Sequence, residues 1–152
     1  MRLAVRKVQM FPASREMIGK VIALENIVRQ APQLTIDTDH VIHGGMYART
    51  ITIPKGAALV GALIKIPTMV IVSGHCTVTI GDDVTELCGY QVLPASAGRK
   101  QAWVAHQDTD VTMIFPTTAK TVEEAEAQFT DEASLLMSRI GDGQDTVTIT
   151  GD

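Results

Sequence analysis

Between Gln33 and Pro116 the chain is a succession of short runs rich in Val, Ile and Thr. Each run is closed by a turn signal: "DTD", "HGG", "PKG", "VSG", "IGDD", "CGY", "SAG" and "HQDTD". The signals recur every ~8–12 residues, which leaves little room for helices between strands and argues for an antiparallel sandwich or barrel over βαβ units. Apolar and polar residues alternate most clearly in "TVTI" (77–80) and "VTMIF" (111–115), as half-buried strands require. Strands that close on themselves expose few edges, so a mainly β jelly roll or small barrel is expected.

The flanks have a different texture. "RLAVRKVQMF" (2–11) alternates Leu3, Val5 and Val8 with charge and reads as a short strand. Ser14 is then placed to cap a helix, Met17, Val21, Leu24 and Val28 recur on one helical face, and Pro32 follows its end. A helix is predicted over 14–29. After Pro116, Thr121 can cap a second helix, Glu123 and Glu124 suit its first turn, and Val122, Ala125 and Phe129 share a face. Thr130-Asp131 marks a restart toward Leu135, Leu136 and Ile140. The closing "GDGQDTVTITGD" holds one alternating run, Val147 and Ile149, and is either a loose tail or a strand that adds to a neighbour. The expected organisation is one globular unit with appendages: a strand and helix over 1–32, a barrel over 33–116, and a helical extension with a polar tail over 117–152.

Composition narrows the function classes. At 152 residues and 45% apolar the chain can build one real core. Aromatics are only 4% and the net charge is −4, which argues against base stacking and phosphate-backbone binding, so no nucleic-acid partner is expected. No apolar run approaches the ~20 residues of a membrane span. Met1–Met10 lacks the apolar segment of a signal peptide, so neither a membrane partner nor secretion by such a peptide is expected. Cys76 and Cys88 show no Cys-x-x-Cys spacing and read as free thiols of a reducing compartment.

The stretches "GAALVGALIKIPTMVIVSGHCTVTIGDD" (56–83) and "GYQVLPASAGRKQ" (89–101) resemble the two motifs of cupins. In that family a Gly precedes a His-x-His pair and a Glu, and a later Pro-x-Gly precedes a fourth ligand, a His. Here Ala62 and Ile64 fall where the paired His would be, and Pro67 where Glu would be, counting back from Gly74. Gly89, Pro94 and Gly98 keep the second motif's punctuation, and Gln101 takes the His place. The resemblance implies a cupin-type jelly roll without the usual metal ligands, so no metal or other cofactor is expected. Its interior is expected to close as a packed core. The flanking "HVIHGGMYARTITIPKG" (40–56) and "AHQDTDVTMIFPT" (105–117) are similar to small cupin-like proteins of tailed bacteriophages. That likeness implies a viral or prophage source and a place in the host cytoplasm or the virion.

His40 and His43 are three apart, so on a regular strand they face opposite sides and cannot share an ion unless Gly44-Gly45 bends the chain. Cys76 follows His75 directly, which points the two apart and makes a poor nucleophile–base pair. The better candidate is a polar group at the barrel mouth: Tyr47 and Arg49 on one strand face, with Arg99, Lys100, Gln101, Trp103 and His106 close in sequence to one another. Two arginines beside a tyrosine suit a carboxylate or phosphate. The competing reading has Arg49 pack its stem and pair with Asp108 or Asp110.

Two functions from different classes follow. The first is a non-catalytic structural or assembly protein that self-associates, with other phage structural proteins as further partners and a capsid-decorating component as one form. The second is a binder of a small anionic metabolite, sugar or nucleotide at the barrel mouth. A metal-dependent cupin enzyme is a distant third.

Overall fold

A computed structural model describes residues 8–151. The chain begins with helix α1 (Arg15–Val28), and continues through strands β1 (Thr38–His43), β2 (Met46–Ile53), β3 (Ala58–Val60), β4 (Thr68–Ile80), β5 (Asp83–Ala95), β6 (Ala102–Ala105) and β7 (Thr109–Pro116). Helix α2 (Val122–Phe129), a 3₁₀ turn (Ala133–Leu135), the short helix α3 (Met137–Ile140) and strand β8 (Asp145–Ile149) complete it. This is the mainly β class expected, its sheet curled into a half-barrel with helices towards both ends.

The eight strands form one sheet in the order β3-β6-β4-β7-β2-β1-β8, with β5 against the other edge of β4. Strand β4 organises the curl. Along one edge it pairs with β5 over its whole length, from Thr68↔Ala95 to Ile80↔Asp83. Along the other it pairs first with β7, from Met69↔Ile114 to Ser73↔Asp110, and then with β6, from Cys76↔Ala105 to Val78↔Trp103. The change of partner falls at Gly74-His75, where the His75 carbonyl accepts from the amides of His106 and Gln107. Gly74 has φ +147°, and a Cβ there would lie 2.6 Å from Thr109 Oγ1 and 2.7 Å from the Asp108 carbonyl. Only glycine lets the β6–β7 loop come this close to β4.

Alternation on β4 follows from the same geometry. Val70, Val72, Cys76 and Val78 point into the barrel and are buried, whereas Met69, Ile71, His75 and Thr77 stand on the outer face. The inner set meets Leu87 and Leu93 of β5, Tyr47 and Ile53 of β2, Met113 and Phe115 of β7, and Phe129 of α2 in one core.

The flanks fold back onto this barrel. Ser14 caps α1 as expected, its hydroxyl accepting from the Met17 amide at 3.1 Å, and its own amide donates to Asp82 in the β4–β5 turn. The inward face of α1 keeps Met17, Val21 and Val28 of the predicted series and puts Glu25 in place of Leu24. Val21 is buried and Glu25 half-buried, while Leu24 is 41% exposed. The reason is that Glu25 reaches Lys100 Nζ at 3.1 Å, and this contact turns the helix away from Leu24. Of the strand predicted over 2–11, residues 2–7 lie outside the described region; Met10 makes a single parallel bridge to Ala95. Helix α2 is capped by Thr121, and Val122, Ala125 and Phe129 are buried as expected. The predicted restart yields only the 3₁₀ turn and α3, with Leu136 buried but Leu135 and Ile140 exposed. The tail is not loose: β8 pairs in parallel with β1 of its own chain, from Thr38↔Asp145 to Ile42↔Ile149.

Candidate functional site

The interior packs one apolar core, as expected from its filling, but does not close completely. A partly open cavity of about 180 Å³ remains over the inner face of the sheet. Its walls are apolar side chains of the sheet, including Ile51, Val70, Val111 and Met113, together with Ala62 and Ile64 from the segment between β3 and β4. Glu25 and Arg29 of α1, with Glu132 and Leu135–Met137 of the C-terminal turns, line the opposite side. Lys100 ties these turns to the barrel. It is 1% exposed, and its ammonium donates to Glu25 at 3.1 Å, the Gly61 carbonyl at 3.0 Å and Glu132 at 3.3 Å.

Of the seven residues in the polar group expected from sequence, four line this cavity: Arg49, Arg99, Gln101 and Trp103. They arrive there by strand alternation on β2 and β6 and by the segment before β6, where Arg99 bridges to Ile64. Tyr47 and His106 are not among them. Tyr47 is fully buried in the core, its hydroxyl 2.7 Å from His40 Nδ1. Burial, only partly countered by the Arg49 charge, pushes the Tyr47 phenol up to about 12. His106 stands on the outer face of the sheet, its Nε2 2.7 Å from Thr77 Oγ1, because it follows the inward Ala105.

The two arginines have different electrostatic settings. Arg49 donates to Glu126 at 2.9 Å and to Ser138 at 3.1 Å, and lies over the Phe129 ring at 5.6 Å. It is therefore neutralised, as the competing reading expected, but by Glu126. Asp108 and Asp110 are engaged elsewhere, by the Lys55 amide and the Thr52 hydroxyl. Glu126 also accepts from Arg139 at 2.9 Å and Ser138 at 2.6 Å. Burial alone would raise its pKa. The bonds from Ser138 and Arg139 and the charge of Arg49 outweigh that and hold it below the ordinary value.

Arg99 has no such partner. It is 2% exposed and donates to the Ser96 carbonyl at 2.8 Å, to Thr68 Oγ1 at 2.6 Å and to Met113 Sδ at 3.7 Å. These acceptors are neutral, and no carboxylate among the described residues forms an ion pair with it. Burial lowers its pKa to about 10, which leaves it charged at neutral pH. A buried charge is ordinarily paired, because desolvating it alone is costly. Gln101 spends an amide N–H on the Thr79 carbonyl. Thr38, on β1 and 1% exposed, also lines the cavity, and its hydroxyl has no hydrogen-bond partner among the described residues.

Sequence reasoning missed Thr38, Glu126, and the Glu25 and Glu132 carboxylates that hold Lys100. For Glu126 a signal existed: it occupies the i+4 position of the apolar series Val122, Ala125, Phe129. Glu25 likewise stands four residues after Val21 on the buried stripe of α1. Nothing in the sequence marks Thr38.

No protein-family model and no curated protein matches the chain. Among solved structures it is similar to a cupin superfamily protein from Desulfitobacterium hafniense DCB-2, at 14% identity over 57% of this chain and 82% of that one, with a TM-score of 0.45. KdgF from Halomonas sp. is similar at 18% identity over 59% of this chain and 87% of that one, with a TM-score of 0.47. Salicylate 1,2-dioxygenase from Pseudoaminobacter salicylatoxidans is similar at 9% identity over 80% of this chain and 38% of that one, with a TM-score of 0.48. At these values the likenesses carry nothing about chemistry, and the site is read from its own residues.

Proposed function

We propose that this is a small-molecule binding protein whose barrel cavity takes a compact carboxylic acid with an apolar body. The observation that carries the reading is Arg99, a buried guanidinium that lines the cavity without an anionic partner. A carboxylate supplies the missing charge and can accept two parallel N–H bonds from such a fork. The unpartnered Thr38 hydroxyl offers a second polar contact, and Trp103, Val70, Val111 and Met113 suit an apolar body. Size limits the ligand. Cavities of ~150 Å³ hold a benzene ring, so about 180 Å³ fits one ring, or an aliphatic equivalent, bearing one acid group. The test is a melting-temperature screen of small monocarboxylic acids, each beside its neutral primary amide. Acids are expected to raise the melting temperature and their amides not to. Equal responses from acids and amides, or none from either, would count against the reading.

Self-association is a second reading, supported by an apolar strip on the outer face of the sheet. Met46, Met69 and Val92 are 48%, 43% and 36% exposed there. Cross-strand pairing sets Met69 between Pro94 and Ile114, and Met46 beside Pro116. Light scattering after size exclusion tests it, and a monomer at all concentrations removes it. A place in a phage particle, as the sequence likeness implies, additionally requires the chain to be found by mass spectrometry in purified virions.

A further inference from the structure

Outside the cavity, strands β6, β4 and β5 present a second concentration of chemistry on the outer face of the sheet. His75 and Cys88 are direct cross-strand partners, and Thr77 pairs with Glu86 in the next row. Both rows point outward, since Cys76 and Leu87 between them are buried. On the other side of β4, the amide of His106, just past the end of β6, donates to the His75 carbonyl, so His106, His75 and Cys88 form one row. Outward side chains of adjacent strands start about 5 Å apart at Cβ, within reach of a shared ion.

The observed distances are close to those of a coordination shell. His75 Nε2 lies 3.0 Å from Glu86 Oε1, and Cys88 Sγ lies 3.6 Å from the same oxygen. One ligand atom from each of His75, Glu86 and Cys88 falls within 4.8 Å of the others. Ligands held at 2.0–2.3 Å around a tetrahedral ion stand about 3.3–3.8 Å from one another. Small torsional changes of exposed side chains therefore close the shell without moving the backbone. The His106 ring is 4.8 Å from the His75 ring, so a rotation away from Thr77 brings in a fourth ligand.

We propose that His75, Glu86 and Cys88, with His106 as fourth ligand, form a zinc site on the outer face of the sheet. Imidazole, thiolate and carboxylate together suit a borderline-soft divalent ion such as Zn²⁺, and poorly suit Mg²⁺ or Ca²⁺, which take oxygen. Binding releases the Cys88 proton to solvent as the thiolate becomes a ligand. With four protein ligands the site is closed, so its role is structural. It joins β5 to β4 and β6 beside the point where β4 changes partner at Gly74.

The experiment uses the untagged, reduced full chain and Zn²⁺ alone, titrated against a chromogenic chelator. One equivalent should bind, and it should raise the melting temperature. Co²⁺ in its place should show thiolate-to-metal charge transfer and the intense visible absorption of tetrahedral cobalt. Cys88→Ser and His75→Ala should each weaken Zn²⁺ by at least about tenfold, and Cys88→Ser should abolish the charge-transfer band. His43→Ala, which removes an exposed histidine on β1, should bind as the parent does. Undiminished affinity in His106→Ala would remove that residue from the ligand set. Failure to bind one equivalent, or parental affinity in both Cys88→Ser and His75→Ala, would overturn the site.

Discussion

At the scale of single residues, the two arginines that line the cavity beside the sheet are treated in opposite ways. Arg49 is matched by Glu126, which also holds Arg139 and Ser138. Arg99 is matched by neutral oxygens and a sulfur only. The first arrangement is structural and has a pH signature. The folded-state pKa of Glu126 lies below its ordinary value of 4.5. Its contribution is therefore fully present above that value and is lost as pH falls through it and on through the lower folded value. Glu126→Gln should cost about 3 kcal/mol at neutral pH, because it strips charge from a site holding Arg49. Denaturant unfolding at neutral and at acid pH checks this: the gap between parent and variant should narrow as pH falls below 4.5. A gap that stays constant with pH would assign the loss to packing.

At the scale of elements, β4 serves two neighbours in turn, and Gly74 is the residue that permits it. A side chain there meets the Thr109 hydroxyl and also backbone atoms of Asp108 and Thr109, which no side-chain rotation moves away. Gly74→Ala should destabilise by about 2–4 kcal/mol, measured by chemical denaturation, whereas a loss below that range would show the β6–β7 loop yielding. Much of this architecture was legible in advance. Strand texture, turn spacing and both helix caps follow from local rules that Ser14, Thr121 and the "IGDD" turn obey. The place of Glu25 on the inward face of α1 was not legible, because the apolar count favours Leu24 and ignores an ion pair to Lys100, 75 residues on. The tail's partner was equally hidden. An alternating run states that a strand needs an edge, and β1 is supplied only by the folded sheet.

At the scale of the whole molecule, the account is of a half-barrel whose ends are folded back on it and whose interior keeps a charged cavity. Among the described residues no helix is long and apolar enough to cross a membrane. The sequence pointed to Arg49, Arg99, Gln101 and Trp103 because strand period and motif spacing place them inward. It did not separate the neutralised arginine from the lone one, since Glu126 reaches Arg49 from 77 residues away. Nor did it foresee a cavity, which depends on how volumes add across six strands and the helices and turns packed on them. The central claim is that Arg99 is kept unpaired to receive an anion. The direct measurement is calorimetric titration of an acid that raises the melting temperature, into the parent and into Arg99→Met, alongside the unfolding free energy of each free protein. The account predicts that Arg99→Met weakens the acid by at least about a hundredfold. It also predicts stability within about 1 kcal/mol of the parent, as relief of a buried charge offsets the lost bonds to Ser96 and Thr68. Unchanged affinity, or a variant crippled in stability while still binding the acid, would contradict it.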